Sequence, residues 1–161
     1  MPRQVIALVG GAWLRRPRVG TKLSRVDTAP DNARQETREP GEVRSADGTT
    51  IGYYRVGRGP AIVLLHGAAQ SSENLSALAR DLSDRFTVFV PDRRGRGRSG
   101  PYGDFRGLRS EIEDLSAVLD GSGAHNVFGL SAGAVIAIET ALVRPDMTKL
   151  ALYEPRFPSM V

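Results

Sequence analysis

The sequence predicts an α/β fold built on a mostly parallel sheet. Unbroken apolar runs of strand length alternate with amphipathic segments of helical period, and Gly- or Asp-rich turns separate them. Continuous rather than alternating apolar runs are typical of strands buried on both faces of a parallel sheet. Strands that alternate with helices indicate right-handed crossovers, and 161 residues suffice for one domain with a buried core.

A hairpin opens the predicted domain, and strand-helix units follow it. Strand-like residues at 42–45 and 49–56 flank the turn residues Asp47 and Gly48. The later segments are a strand at 61–65, a helix with Leu75, Leu78, Ala79 and Leu82 on one face, a strand at 86–90, a helix at 107–119, a strand at 127–128, a helix at 132–143 and a strand at 149–153.

Residues 1–40 differ in composition from the rest, and we expect a disordered basic extension there, with the folded domain at 41–161. The extension has eight Arg or Lys against four Asp or Glu, which accounts for the net charge of +4. Its apolar run at 5–14 is broken by Gly10 and Gly11, and most of the basic residues follow it, so it does not match a secretory signal. No run approaches the roughly 20 apolar residues of a membrane span.

Composition also limits the possible functions. The absence of cysteine excludes disulfides, thiolate metal sites and a cysteine nucleophile. Charges balance outside the extension, and the arginines at 93, 94, 96 and 98 lack the interleaved aromatics or G-K-[ST] pattern of nucleic-acid or phosphate sites. We therefore expect a cytoplasmic protein that binds neither nucleic acid nor membrane.

The main functional signal is G-x-S-x-G at 129–133, between a predicted strand and a predicted helix. This pattern is typical of a nucleophile elbow, where small neighbours permit a strained backbone at the serine. The helix starts directly behind Ser131, so its unpaired N–H groups and positive dipole end would face a developing oxyanion. Ser131 is the candidate nucleophile; the alternative is a glycine-rich turn with an uninvolved serine.

The loop after the 61–65 strand is His66-Gly67-Ala68-Ala69. Ligands of parallel α/β sheets lie beyond the carboxyl ends of the strands, where this loop and the Ser131 turn would meet. We predict that the N–H groups of Ala68 and Ala132 form a two-donor oxyanion hole.

Three motifs occur in order at the ends of predicted strands. They are LLHG at 64–67, DRRGRGRS at 92–99 and GLSAG at 129–133. Together with the strand before Pro155, they resemble the N-terminal half of the α/β-hydrolase superfamily over residues 43–155. The resemblance implies a parallel-sheet hydrolase without cofactor or metal, acting on an ester, amide or related bond of a small-molecule substrate. In that family an acid and then a histidine follow the serine.

The sequence departs from the family pattern because no histidine follows Ser131. His66 is expected to support its loop, and His125 lies at the opposite end of the serine's strand. Glu154 is a candidate acid, with a loop carboxylate before Pro155 as the alternative. We interpret the chain as truncated after the strand that follows the elbow, ending at Val161.

Two hypotheses remain open. The chain is either part of a serine hydrolase whose histidine and acid come from sequence absent here, or an inactive remnant that acts as a binding or scaffold protein or needs a complementing fragment. In both cases the apolar strand at 149–153 would be an unpaired sheet edge, which predicts self-association.

Overall fold

The computed structural model describes residues 4–8 and 37–156. The strands are β1 (Gln4–Leu8), β2 (Glu39–Arg44), β3 (Thr50–Val56), β4 (Ala61–Leu65), β5 (Thr87–Pro91), β6 (Asn126–Leu130) and β7 (Lys149–Tyr153). A 3-10 turn at Ser72–Leu75 leads into α1 (Ser76–Ser83), and the longer helices are α2 (Leu108–Ser122) and α3 (Ala132–Val143). No helix in this part of the chain is long and apolar enough to cross a membrane.

The strands form one seven-stranded sheet in the order β1-β7-β6-β4-β5-β3-β2. The β2-β3 hairpin joins the sheet antiparallel to β5, whereas the other neighbours pair in parallel. The predicted α/β class with a mostly parallel sheet is therefore confirmed. β6 is longer than the predicted 127–128 because Gly129 and Leu130 continue the pairing with its neighbours.

Strand β1 differs from the expectation of a disordered extension. It pairs in parallel with β7, from Gln4 opposite Lys149 to Leu8 opposite Tyr153. The prediction that β7 is a sheet edge is therefore wrong, because β7 has β6 on one side and β1 on the other. An apolar run of strand length satisfies the backbone N–H and C=O groups of an exposed strand by pairing with it. The rest of the predicted extension, 1–3 and 9–36, lies outside the described residues.

Helices cover both faces of the sheet. Val63 and Leu65 of β4 pack with residues of α2 and α3 in one core cluster, whereas Leu64 packs with residues of α1 in the other. Successive strand residues point to opposite faces, which explains why an unbroken apolar run was needed at β4. Full burial of each such side chain contributes roughly 1.5–3 kcal/mol.

Arg94 connects the hairpin to α2 from a fully buried position. Its Nε and Nη2 donate to the two carboxylate oxygens of Asp114 at 2.7 and 2.6 Å, and its Nη1 donates to Asp47 Oδ2 at 2.8 Å. The hydrogen bond from Arg94 holds the pKa of Asp47 below its usual range. The charge of the buried guanidinium is thus balanced by the carboxylates of Asp114 and Asp47.

Replacing Asp114 by asparagine should destabilise the fold, because Arg94 would keep only one of its two carboxylates in a buried site. Removing one partner of a buried pair costs on the order of 3 kcal/mol, and urea unfolding of Asp114→Asn measures this loss. Glu113→Gln is the matched control on the same helix, since Glu113 pairs with two exposed arginines, Arg106 before the helix and Arg109 in its first turn. That change should cost less than about 1 kcal/mol, and equal losses in both variants would contradict the assignment.

Candidate active site at the carboxyl edge of the sheet

Ser131 occupies a strained turn between β6 and α3. Its φ of 53° and ψ of −112° lie in a region that non-glycine residues rarely adopt. Hydrogen bonds hold the turn: Ser131 N–H donates to the Tyr153 carbonyl at 2.9 Å, and the Ser131 carbonyl accepts from Ala134 N–H at 3.0 Å. Its Oγ has no hydrogen-bond partner among the described residues, so it is available at the carboxyl edge of the sheet.

The two glycines of the motif allow α3 to approach the sheet closely. A Cβ on Gly129 would lie 2.6 Å from the Gly133 carbonyl oxygen, and a Cβ on Gly133 would lie 2.7 Å from the His66 oxygen and closer still to that of Leu65. Real Cβ atoms essentially never show contacts of that length with backbone atoms. Both positions therefore require glycine for the turn to form.

The loop after β4 lies directly beside Ser131. A Cβ placed on Gly67 would be 3.5 Å from the Ser131 Cβ and from the Leu130 oxygen. Ala68 is exposed, and its N–H has no acceptor in the described part of the chain. The N–H of Ala132 is in the first turn of α3, where helices leave such groups unpaired. The structure thus brings both predicted donor segments to the serine with open N–H groups.

His66 is fully buried, and both of its ring nitrogens are occupied. Nδ1 lies 2.8 Å from the Gly67 carbonyl, an acceptor, and Nε2 lies 3.1 Å from the N–H of Arg93, a donor. The ring is therefore the neutral tautomer with its proton on Nδ1. Burial lowers the pKa of His66, and the neighbouring Arg93 adds to this effect. Such a histidine supports its loop and has no free nitrogen for the proton of Ser131.

His125 lies at the opposite edge of the sheet. It directly precedes β6, so the length of that strand separates it from Ser131 by roughly 20 Å. Its Nδ1 is 3.6 Å from Asp146 Oδ2. Arg144 donates to Asp146 and to Asp120, and its hydrogen bond lowers the pKa of Asp146 to about 2. This cluster connects α2, through Asp120, with the loops before β6 and β7 and lies away from the candidate site.

Glu154 directly follows β7, as Ser131 directly follows β6, the neighbouring strand. Leu130 and Tyr153 are register partners on β6 and β7, so the residues after them are neighbours at the carboxyl edge. Glu154 is half-buried and has a φ of 47°. In the described part of the chain, Ser131 and Glu154 are the two non-glycine residues with positive φ. The sequence contained no signal for this second strained position.

The arginine-rich segment at 92–99 is held together by its own side chains. Asp92 accepts from the N–H groups of Ser72 and Arg98, at 2.8 and 3.0 Å. Ser99 Oγ donates to the Asp92 carbonyl at 2.5 Å and accepts from Gly52 N–H at 3.0 Å. The segment is thus closed on itself and tied to β3.

Arg93 and Glu111 are site neighbours for which the sequence offered no signal. Arg93 Nη1 donates to the Gly67 carbonyl at 3.1 Å, while its Nε and Nη2 donate to the Glu111 carboxylate at 3.0 and 2.5 Å. In the sequence, Arg93 was one of four arginines that lack the pattern of a nucleic-acid or phosphate site. A contact between residues 26 positions apart became visible only in the fold.

A parallel sheet with a strained serine turn between strand and helix defines an α/β-hydrolase arrangement. Residues 62–160 match the family model described as alpha/beta hydrolase family, and the chain belongs to this family. The predicted family is therefore confirmed.

Individual relatives agree with this assignment. An uncharacterized hydrolase of Bacillus subtilis, YraK, is 32% identical over 114 residues, which are 67% of this chain and 42% of that protein. The crystal structure of an alpha/beta hydrolase from Sphaerobacter thermophilus is 41% identical with a TM-score of 0.69, covering 73% of this chain and 46% of that one. An esterase from a Rhodococcus species is 28% identical with a TM-score of 0.64, covering 71% and 45%. The chain thus spans less than half the length of these three relatives.

Replacing Gly133 by alanine should destabilise the protein although the position is helical. Alanine gains about 1 kcal/mol over glycine in a helix. The new methyl group would meet the carbonyl oxygens of Leu65 and His66, which are backbone atoms of a buried strand end, and such overpacking costs about 1–3 kcal/mol.

Urea unfolding measures this difference, with Gly100→Ala as the matched control. A Cβ on Gly100 would have its nearest neighbour at 3.4 Å, and no positive φ requires glycine there. The control should be neutral or slightly stabilised. A stabilised Gly133→Ala variant would show that α3 does not approach the sheet as closely as described.

The buried, neutral His66 should make the fold less stable in mild acid. Its pKa is lowered in the folded state, so below about pH 6.5 the unfolded chain binds a proton that the folded chain does not. Stability is then expected to fall as pH decreases, by at most about 1.4 kcal/mol per pH unit. Urea unfolding between pH 7 and pH 5 tests this in the His125→Asn variant, where His66 is the remaining histidine. Absence of the pH dependence in that variant would contradict its assignment to His66.

Proposed function

We propose that this chain carries the nucleophile and oxyanion hole of a serine hydrolase acting on an ester, amide or related bond. The observation that supports this most is the strained Ser131 turn, with a free Oγ, beside the open N–H groups of Ala68 and Ala132. A nucleophile elbow presents its serine in this way, and two such donors stabilise the charge of a tetrahedral intermediate.

In the proposed reaction Ser131 Oγ attacks the carbonyl carbon of the substrate. The hydroxyl proton passes to a general base, and the carbonyl oxygen, now negative, accepts hydrogen bonds from Ala68 and Ala132. Collapse of the intermediate expels the alcohol or amine, which takes the proton from the base, and leaves an acyl group on Ser131; water then hydrolyses this ester and frees the carboxylic acid. Neither a cofactor nor a metal is required by these steps.

The base is the group that this chain does not provide. The sequence has two histidines, of which His66 is occupied at both nitrogens and His125 lies at the other edge of the sheet. We therefore place the base outside this sequence. Glu154 is proposed as the acid that orients it, because its backbone position is adjacent to Ser131 at the carboxyl edge.

The lack of a histidine positioned as base favours a second candidate, a non-catalytic member of the family that binds a ligand or partner. Without its base a serine hydrolase loses several orders of magnitude in rate. Turnover of a p-nitrophenyl ester separates the two candidates: turnover by the 161-residue chain that disappears in Ser131→Ala would exclude the non-catalytic one. The pairing of β1 with β7 removes the basis on which self-association was predicted, whereas the cytoplasmic location remains a prediction.

Ser131 should react covalently with a fluorophosphonate probe. An oxyanion hole and substrate binding alone retain roughly 10³-fold to 10⁴-fold acceleration over water when the triad is incomplete, so labelling should be measurable with excess probe. Mass spectrometry of the modified peptide reports the site. Ser131→Ala should abolish the label, whereas Ser116→Ala, a half-buried serine of α2, should keep it. Equal labelling of the two variants would rule out Ser131 as the nucleophile.

A further inference from the structure

We infer that Arg93 and Glu111 are positioning residues for the Ala68 N–H, while the adjacent pair Arg94 and Asp114 only stabilises the fold. The inference rests on the proposed function of Ser131 and Ala68. Both pairs join consecutive arginines of one loop to one helix, and both are buried. They differ in what else the arginine contacts.

The Gly67 carbonyl oxygen accepts two hydrogen bonds from inside the protein. His66 Nδ1 donates at 2.8 Å and Arg93 Nη1 donates at 3.1 Å. This carbonyl and the Ala68 N–H belong to the same peptide unit, which is planar and, like all those described, not cis. In a trans peptide the C=O and N–H point in opposite directions. Two donors that hold the oxygen inward therefore direct the Ala68 N–H outward.

Glu111 determines where the Arg93 guanidinium lies. Its carboxylate accepts from Nε and Nη2 at 3.0 and 2.5 Å, a two-point contact that fixes the guanidinium plane. Glu111 is 5% exposed and sits in the first turn of α2, so it is itself held by a helix. With two of its nitrogens bound to Glu111, Arg93 is left with Nη1 to direct at Gly67.

The backbone N–H of Arg93 also affects the peptide between Gly67 and Ala68, through the ring of His66. This N–H donates to His66 Nε2 at 3.1 Å, which requires the tautomer whose proton is on Nδ1. That proton is the one donated to the Gly67 carbonyl. The neighbouring Gly67 N–H is already bound to Gln70 Oε1 at 2.9 Å. Ala68, the next residue, has an N–H without an acceptor in the described part of the chain.

Arg94 lacks such a connection. Its guanidinium contacts Asp114, Asp47 and the Tyr102 carbonyl, all of which belong to the hairpin turn, α2 or the loop before it. Loss of Asp114 and loss of Glu111 therefore remove the same kind of buried contact from the same helix. They should differ in their effect on Ala68.

The test compares Glu111→Gln with Asp114→Asn, two changes that preserve size and remove one charge each. Thermal unfolding, residual dipolar couplings of the Ala68 N–H and the second-order rate of Ser131 with a fluorophosphonate are measured for both. Both variants should unfold at a lower temperature than the unmodified chain. Only Glu111→Gln should rotate the Ala68 N–H and slow labelling, by about tenfold to a hundredfold, as expected for a displaced catalytic group.

An unchanged Ala68 orientation in Glu111→Gln, or the same rotation in Asp114→Asn, would overturn the inference. If Ser131 of the unmodified chain does not react, the proposed function fails, and the dipolar couplings still decide whether Glu111 orients this peptide. If Glu111→Gln does not fold, Arg93→Lys replaces it, because lysine keeps the charge but cannot contact Glu111 and Gly67 as a planar fork. Retention of the Ala68 orientation in that variant would equally reject the inference.

Discussion

The close approach of α3 to the ends of β4 and β6 is the constraint on which the rest of the site depends. Gly133 lies against the Leu65 and His66 carbonyls, and Gly129 lies against the backbone of the first helical turn. Ser131 lies between these two contacts in a strained turn, and its N–H donates to the carbonyl of Tyr153 at the end of β7. Strain at one residue is stable here because the surrounding strands determine it.

Two buried ion pairs join the loop after β5 to α2. Arg93 and Arg94 each leave the loop after β5 in the direction of α2, where Glu111 and Asp114 receive them. Buried ion pairs contribute little net stability, since desolvation offsets most of the attraction. These pairs hold the loop after β5 against the helix. Arg93 also donates a hydrogen bond to the Gly67 carbonyl, so the position of its guanidinium affects that peptide. The arrangement favours a rigid loop after β4 over a mobile one.

The two edges of the sheet are chemically distinct. At the carboxyl edge, Ser131, Glu154 and the Ala68 loop follow different strands and share a small region, and the histidine of that loop, His66, is occupied at both ring nitrogens. At the amino edge, Arg144 pairs with Asp146, and His125 Nδ1 lies 3.6 Å from the same carboxylate. The chain spans under half the length of the three relatives described above.

The sequence by itself determined the fold class, the order of the helices and strands from β2 to β7, and the turn that holds Ser131. These follow from local spacing: apolar runs and helical periods extend over a few residues, and the glycines at 129 and 133 lie within one turn of the serine. Only the tertiary structure decided the pairing of β1 with β7, the strained φ of Glu154 and the contact of Arg93 with Gly67. The physical reason is that these contacts join residues far apart in the sequence. An apolar run can pair with any strand that has unpaired backbone groups, and the carbonyl that an arginine contacts depends on the fold.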